Sequence, residues 1–140
     1  MTESEIIVKE IKAIHKKIAG YSEKAQLDSF LSYYDNSPDF LHFSSDGEMR
    51  NYEEFKKVCT EYYNALAEQT ITTIREKPLV IAANLVVLGW TGDIIARFKN
   101  GDVMKMKSYS ITNVFKKMGN KWKIIHSHES SVPPEMIKKK

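Results

Sequence analysis

Two histidines and one glutamate are the residues of this chain best suited to acid–base chemistry. His15, His42 and Glu129 are the candidates, because a histidine exchanges its proton near neutral pH and a neighbouring carboxylate can tune it. If the three converge on one cavity, they form a catalytic set. An alternative stays open: both histidines lie at the edge of the core and bond to the backbone, and Glu129 pairs with a lysine, since structural ion pairs also perturb pKa values.

A second pair of histidines has the spacing of metal ligands. His126 and His128 are two positions apart, which points two side chains the same way from one strand, as in some zinc sites. The neighbours expected on that face are Ser110, Thr112 and Thr91, and none of them is a strong third ligand. The sequence therefore predicts no metal site, and a subunit contact or cross-strand hydrogen bonds are the expected roles of the pair.

Two further residues carry less chemistry than their types suggest. Cys59 lies on an apolar helical stripe between Phe55 and Tyr62, so buried packing is expected of it rather than nucleophilic attack. Gly119 has no glycine-rich phosphate-binding pattern around it and is expected to form a turn. No cofactor is predicted from these patterns.

Composition limits the class of protein. The 140 residues favour a single domain over residues 1–140, with 42% hydrophobic and 28% charged residues, as in an ordinary globular chain. The net charge of +3 is small and its lysines are scattered, which argues against a nucleic-acid partner. One cysteine, no apolar run of membrane-spanning length and an acidic N-terminus predict a cytoplasmic protein with no membrane partner.

The elements that must position these residues follow from periodicity and turn signals. Helix caps at Thr2 and Asn51, and an apolar stripe at Ile7, Ile11, Ile14 and Ile18, predict helices in the N-terminal half. The predicted order is helix, helix, hairpin, helix and four strands, an α+β arrangement with the helices on one face of an antiparallel sheet. The expected bounds are helices over Glu3–Gly20, Ser22–Tyr34 and 51–66, a hairpin over 40–50, and strands over Gln69–Arg75, Leu85–Phe98, Val103–Lys117 and Trp122–Ser131, with Lys77-Pro78 as an interruption.

The turn at Asn100-Gly101 sets the register of the longest hairpin. A two-residue loop pairs Phe98 with Val103 and places Trp90 opposite Ile111. One face, suited to line a pocket, then holds Leu88, Trp90, Tyr109, Ile111, Asn113 and Phe115; the other holds Val87, Thr91, Met106, Ser108, Ser110, Thr112 and Val114. In the last strand, the loop at Gly119-Asn120 leaves two registers open, because a slip of one residue reverses every side chain. Either Trp122, Ile124, His126 and His128 face inward, or Ile125, Ser127 and Glu129 do.

The C-terminal segment GNKWKIIHSHESS, from Gly119 to Ser131, resembles the ending of many SnoaL-like and ketosteroid-isomerase-like domains of the nuclear transport factor 2-like superfamily. The association domain of calcium/calmodulin-dependent kinase has a similar ending. The hairpin at 38–47 and the helix start at 51–55 add to the resemblance, which spans the chain. It implies a cystatin-like, cone-shaped α+β barrel, with three helices packed on a strongly curved, mixed but mainly antiparallel sheet.

The resemblance also implies which residues lie inside the cone. Such domains send the residues between the two histidine positions inward, which favours Ile125, Ser127 and Glu129 inside and His126 and His128 outside. The expected ligand pocket consists of Phe30, Phe40, Ser44, Phe55, Tyr62, Trp90, Tyr109, Ile111, Asn113, Ile125 and Ser127, next to the tentative catalytic set His15, His42 and Glu129.

Ketosteroid isomerases use a carboxylate base with a tyrosine and a protonated aspartate as donors. By resemblance, the base position matches Ser44, the aspartate position falls near Asn113, and the tyrosine position falls near Ile14 or His15. A serine cannot abstract a proton from carbon, so this chain departs from the isomerase pattern at the decisive position.

Three functions remain as hypotheses. The first is a domain that binds a small, largely apolar ligand and forms a homodimer through the outer face of the sheet. The second is a SnoaL-like enzyme with isomerase, cyclase or hydratase-type acid–base chemistry. The third is a non-catalytic oligomerisation domain, because one fold hosts many functions.

Overall fold

A computed structural model describes all of residues 1–140 as three helices and seven strands. In chain order the elements are α1 Glu3–Glu23, α2 Leu27–Leu31, β1 Leu41–Phe43, β2 Met49–Arg50, α3 Tyr52–Ala65, β3 Leu66–Ala82, β4 Leu85–Phe98, β5 Val103–Met118, β6 Lys121–Ser130 and β7 Glu135–Ile137. The α+β class is confirmed. None of the helices has both the length and the apolarity that crossing a membrane requires.

The strands form one curved, mixed sheet that stays open. Its order is β2-β1-β6-β5-β4-β3, and β7 pairs with the start of β5 beyond the end of β6. Only β1 and β6 run parallel; the other pairs are antiparallel. Because β2 and β3 are free edges, the sheet is a half-cone around the helices rather than a closed barrel.

Both predicted helix starts are present. The Thr2 side chain accepts a hydrogen bond from the Glu5 amide at 3.1 Å, and Asn51 and Glu54 form a reciprocal capping box. The apolar stripe of α1 is buried against the sheet at Ile7, Ile11 and Ile18, with His15 beside it.

Helix α1 does not end at Gly20, as the sequence predicts, but continues to Glu23. A glycine inside a helix costs roughly 1 kcal/mol, which tertiary contacts can offset. Here Glu23 accepts from the Ile71 amide at 3.0 Å, which ties the last turn to β3. The helix stops where Ala25 adopts a left-handed φ of 54°. The second helix is correspondingly shorter than predicted.

The strand β3 is continuous where an interruption is predicted. Pro78 lies inside it, paired with Leu88 of β4. A proline is tolerated there because β3 is an edge strand, whose second side needs no amide donors. Three register shifts along β3 take up the irregularities.

The β4–β5 register matches the prediction around the middle of the hairpin and departs from it near the turn. Trp90 lies opposite Ile111, as predicted, but Arg97 rather than Phe98 pairs with Val103. A bulge on β5 makes the difference: Ser108 has a φ of 53°, and its amide donates to Asp93 Oδ1 at 3.1 Å. The prediction that Met106 lies on the outer face is therefore wrong, since its side chain faces the helices.

In β6 a bulge combines the two registers that the sequence leaves open. The turn at Gly119-Asn120 has two residues, and Phe115 pairs with Ile124 while Val114 pairs with His126. The skipped residue is Ile125. As a result Ile124 faces inward before the bulge, and Ser127 and Glu129 face inward after it. The expected inward position of Ile125 is wrong, because the extra residue lies in the strand and not in the loop.

Candidate ligand cavity

A cavity of about 300 Å³ lies between the inner face of the sheet and the three helices. Of its 24 lining residues, 15 are hydrophobic, so the wall is mainly apolar with a few polar side chains. The predicted site residues that line it are His15, Phe30, His42, Ser44, Phe55, Tyr62, Trp90, Tyr109, Ile111, Asn113 and Glu129.

Three of the predicted pocket residues lie elsewhere. Phe40 is 1% exposed and packs in the core against Tyr34 and Phe55. Ile125 is the bulge residue of β6 and does not line the cavity. Ser127 is 1% exposed and faces inward, yet it lies behind the cavity wall.

Glu129 is the charged centre of the cavity. Its Oε2 accepts a hydrogen bond from the Tyr109 hydroxyl at 2.6 Å, and His42 Nε2 lies 3.5 Å from the same oxygen. Burial, followed by the charge of Glu129, raises the pKa of Tyr109 far above its usual value. Tyr109 therefore stays protonated at neutral pH and holds the carboxylate in place. The arrangement pairs a carboxylate with an imidazole, two groups that can each act in general acid–base catalysis.

His42 belongs to a row of buried polar side chains that crosses three strands. It pairs with Ser127 across β1 and β6, and Ser127 pairs with Asn113 across β6 and β5. All three are at most 3% exposed. Both ring nitrogens of His42, Asn113 Oδ1 and Ser127 Oγ have no hydrogen-bond partner within the protein. Because Asn113 and His42 line the cavity, a ligand group there can satisfy them.

His15 lies apart from this row. Its Nδ1 is 3.2 Å from Glu76 Oε2, and its ring meets Trp90 edge-on with centroids 6.0 Å apart. Burial lowers the pKa of His15 despite the opposing effect of Glu76. Trp90 itself donates to Thr73 Oγ1 at 2.8 Å. His15 thus lines the same cavity as Glu129 but is bound to a different carboxylate.

At one side of the cavity, Ser44 is engaged in a charged turn. Its hydroxyl donates to Asp46 Oδ1 at 2.5 Å, and Arg50 bonds to both residues, with Nη2 at 2.9 Å from Asp46 Oδ2. Hydrogen bonds from Arg50 and Ser44 hold the pKa of Asp46 well below its usual range. Val58 also lines the cavity and is 38% exposed, which marks where the cavity meets solvent.

The structure adds a polar group that the sequence does not reveal. Ser22 Oγ lies 2.7 Å from both the Tyr63 hydroxyl and Gln69 Nε2, and Gln69 Oε1 accepts from Tyr62 at 2.7 Å. Ser22 was expected to start a second helix, whereas it lies in the last turn of α1. Its partners are 41 and 47 residues away, so no local pattern marks the set.

The other histidines and the cysteine are not part of the polar centre. His126 and His128 lie on the outer face, where the ring centroid of Phe43 is 5.9 Å from that of His126 and 5.2 Å from that of His128. Cys59 lines the cavity, but burial strongly raises the pKa of its thiol, which keeps it protonated and poorly nucleophilic.

Sequence comparison gives a family match over most of the chain. The family model of the SnoaL-like domain matches residues 11–135. No curated protein matches the sequence.

Solved structures with the same fold have distant sequences. A proposed dehydratase of the NTF2-like family from Streptomyces avermitilis superposes with a TM-score of 0.75 at 12% identity, over 93% of this chain and 99% of that one. A proposed scytalone dehydratase from Novosphingobium aromaticivorans superposes with a TM-score of 0.77 at 10% identity, over 100% of this chain and 94% of that one. The association domain of C. elegans CaMKII superposes with a TM-score of 0.68 at 13% identity, over 87% of this chain and 93% of that one. At these identities the likeness establishes the fold alone.

Proposed function

Because the chain belongs to the SnoaL-like domain family, whose fold encloses a cavity here, we propose that it binds a small, largely apolar molecule in that cavity. The observation that carries the proposal is the set of unpartnered polar atoms on His42 and Asn113, both facing a mainly apolar space. Each buried polar atom without a partner costs roughly 1–3 kcal/mol. A ligand that carries a hydrogen-bonding group would recover that free energy.

Blocking the cavity tests the binding proposal. Val58→Trp places a large ring where the cavity meets solvent, and Val132→Trp is the matched control, since Val132 is 52% exposed and outside the cavity. Titration calorimetry with tetralin, an apolar ring compound, should give saturable binding to the wild type and to Val132→Trp. Binding should be lost in Val58→Trp. Equal affinities in all three proteins would show that the cavity is not the site.

Proton transfer is the second candidate function, and the contact of Glu129 with His42 and Tyr109 favours it. The carboxylate can accept a proton from a bound molecule while His42 returns one. The dehydratase names of two structural relatives are compatible with such chemistry. Ketosteroid isomerisation is not proposed, because Ser44 is bonded to Asp46 and Arg50 and is no base.

A light-driven acid tests for a base inside the cavity. The excited state of 2-naphthol is a strong acid and emits as naphtholate when a base or bulk water takes its proton, so the emission of free naphthol is subtracted to obtain that of the bound molecule. Bound to the wild type, it should show naphtholate emission, which Glu129→Gln should suppress without abolishing binding. Glu48→Gln is the control, because Glu48 does not line the cavity. Naphtholate emission that persists in Glu129→Gln would remove Glu129 from the proposed role.

A homodimer through the outer face of the sheet is also proposed. Val87, Ile95 and Val114 are half-buried on this face, although no helix covers it. Sedimentation equilibrium should give twice the chain mass, and Val114→Lys should shift it toward the monomer. A wild-type protein that remains monomeric at high concentration contradicts the dimer, and a closed ring of many subunits would instead favour an assembly function.

A further inference from the structure

Ser22, Tyr62, Tyr63 and Gln69 form one hydrogen-bonded network, here called the Ser22 group. The acceptor atoms in this network determine which group donates each hydrogen. Gln69 Nε2 lies 3.0 Å from the backbone oxygen of Ser22, which can only accept, so this end of the amide is the nitrogen. Its second hydrogen goes to Ser22 Oγ at 2.7 Å. The amide oxygen therefore faces Tyr62, whose hydroxyl donates to it.

One hydroxyl proton is left over. The Tyr63 hydroxyl and Ser22 Oγ are 2.7 Å apart, and one hydrogen bond joins two groups that carry one proton each. Neither group has another acceptor within the protein. Whichever donates, the proton of the other is free, and both residues line the cavity. Gln69 and Tyr63 are each 6% exposed, so the free donor belongs to a buried network.

The donor and Glu129 line the same cavity from different elements. Ser22 and Tyr63 lie on α1 and α3, whereas Glu129 lies on β6. The charge of Glu129 contributes to the raised pKa values of Tyr62 and Tyr63, so the carboxylate lies within electrostatic reach of this donor group. The mainly apolar lining therefore carries two kinds of polar group: an acidic one at Glu129 and a donor at Ser22 and Tyr63.

We propose that the Ser22–Tyr63 pair, held in place by Gln69 and Tyr62, is a donor subsite for an uncharged acceptor oxygen, such as a ketone carbonyl, of the ligand. This rests on the proposed function. The ligand is then an apolar ring compound with an acceptor oxygen in addition to its proton-exchanging group. Carboxylates and phosphates are excluded, because the lining contains Glu129 and Asp46 but no lysine or arginine to offset a buried anion.

The surplus proton makes an unusual prediction for variants. Ser22→Ala leaves the Tyr63 proton free, and Tyr63→Phe leaves the Ser22 proton free, so each single variant retains one donor. Combining the two frees the second hydrogen of Gln69, and removing Gln69 in turn frees the Tyr62 hydroxyl. Only the quadruple variant Ser22→Ala, Tyr62→Phe, Tyr63→Phe, Gln69→Leu therefore loses every donor. The affinity for 1-tetralone, a cyclic ketone, should fall roughly three- to tenfold in the quadruple variant and little in either single variant. The affinity for tetralin, which has no oxygen, should not change.

The matched control makes the same four changes outside the cavity. Gln26→Leu, Ser32→Ala, Tyr33→Phe and Tyr52→Phe together should leave both affinities unchanged, because none of these residues lines the cavity. The carbonyl stretching frequency of bound 1-tetralone is an independent readout. It should be lowered in the wild type, as in a hydrogen-bonding solvent, and return toward its cyclohexane value in the quadruple variant.

The outcomes separate the subsite from the binding function. If tetralin and 1-tetralone both bind but lose affinity equally in the quadruple variant, the donor subsite is wrong and ligand binding stands. If neither binds the wild type, the proposed function fails and the subsite with it. Tighter binding of 1-naphthoate than of 1-tetralone would overturn the uncharged ligand class. Should the quadruple variant not fold, a wild-type carbonyl band at the cyclohexane frequency still contradicts the proposal.

Discussion

At one end of the inner sheet face, Phe40, Phe115 and Ile124 are packed so closely against the helices that none is more than 1% exposed. At the other end, Trp90 and Met106 belong to a smaller cluster that borders the open cavity. Strands β4 and β5 run through both ends, so the backbone does not distinguish them. The difference lies in which side chains project inward.

The polar side chains mark the boundary between the filled end and the hollow end. Asn113, at 2% exposure, is two residues before the fully buried Phe115 on the same face of β5. A purely structural core would place an apolar residue at such a position, because an unpartnered buried amide oxygen lowers stability. Asn113 at this boundary therefore has the property expected of a residue that serves the proposed ligand rather than folding.

Replacing a phenylalanine with alanine at each end should give the largest difference in the free energy of unfolding. Phe115→Ala removes a fully buried ring and should lower the free energy of unfolding by about 3–5 kcal/mol. Phe30→Ala removes a half-buried ring that lines the cavity, so the loss should be only about 1–2 kcal/mol. Urea unfolding of both variants measures the contrast. Equal losses would mean that the cavity end is packed as tightly as the core.

Removing a buried polar atom that has no hydrogen-bond partner should increase the free energy of unfolding rather than lower it. Ser127 is 1% exposed, and its Oγ has no partner in the protein, so Ser127→Ala should raise the free energy of unfolding by about 1 kcal/mol. Ser130→Ala, on the exposed end of the same strand, is the control and should change it by less than about 0.5 kcal/mol. Destabilisation by Ser127→Ala would mean that the oxygen is satisfied in solution.

Sequence patterns define the scaffold well but not its bulges. The pairing of Trp90 with Ile111 follows from a turn signal and alternation, both of which are local. The bulges at Ser108 and Ile125 depend on contacts such as that of Asp93 with the Ser108 amide, which alternation does not encode. They decide the inward position of Met106 and the outward position of Ile125.

The candidate site was predictable to a different degree. Tyr109 and Asn113 follow from the strand register. The Ser22 group depends on a helix that continues past Gly20 and on side-chain contacts between distant segments. Propensity rules end a helix at glycine, and here tertiary contacts outweigh them.

The smallest expected effect is on the pH dependence of stability. His15 has a lowered pKa in the folded protein, so between that pKa and about 6.5 the unfolded chain binds more protons. The contribution of neutral His15 to the free energy of unfolding is fully present above about pH 6.5, and it is lost as the pH falls toward the folded-state pKa. Melting temperatures between pH 5 and 7.5 should therefore vary less in His15→Gln than in the wild type.

Glu76→Gln should make the melting temperature depend more strongly on pH than in the wild type, the reverse of the effect of His15→Gln. Glu76 raises the pKa of His15 through its charge and hydrogen bond, so its removal widens the gap to the unfolded chain and steepens the acid loss. Some slope should remain in His15→Gln, because burial also lowers the pKa of His126. Unchanged curves in both variants would show that His15 is not linked to folding through its proton.

A crystal structure with 2-naphthol tests the central claim most directly, namely that the hollow end of the sheet is a ligand site. The account predicts one molecule inside the cavity, its rings against Trp90 and Phe55 and its hydroxyl at hydrogen-bond distance from Glu129. A cavity closed by its own side chains, or naphthol bound only on the outer face of the sheet, would contradict it.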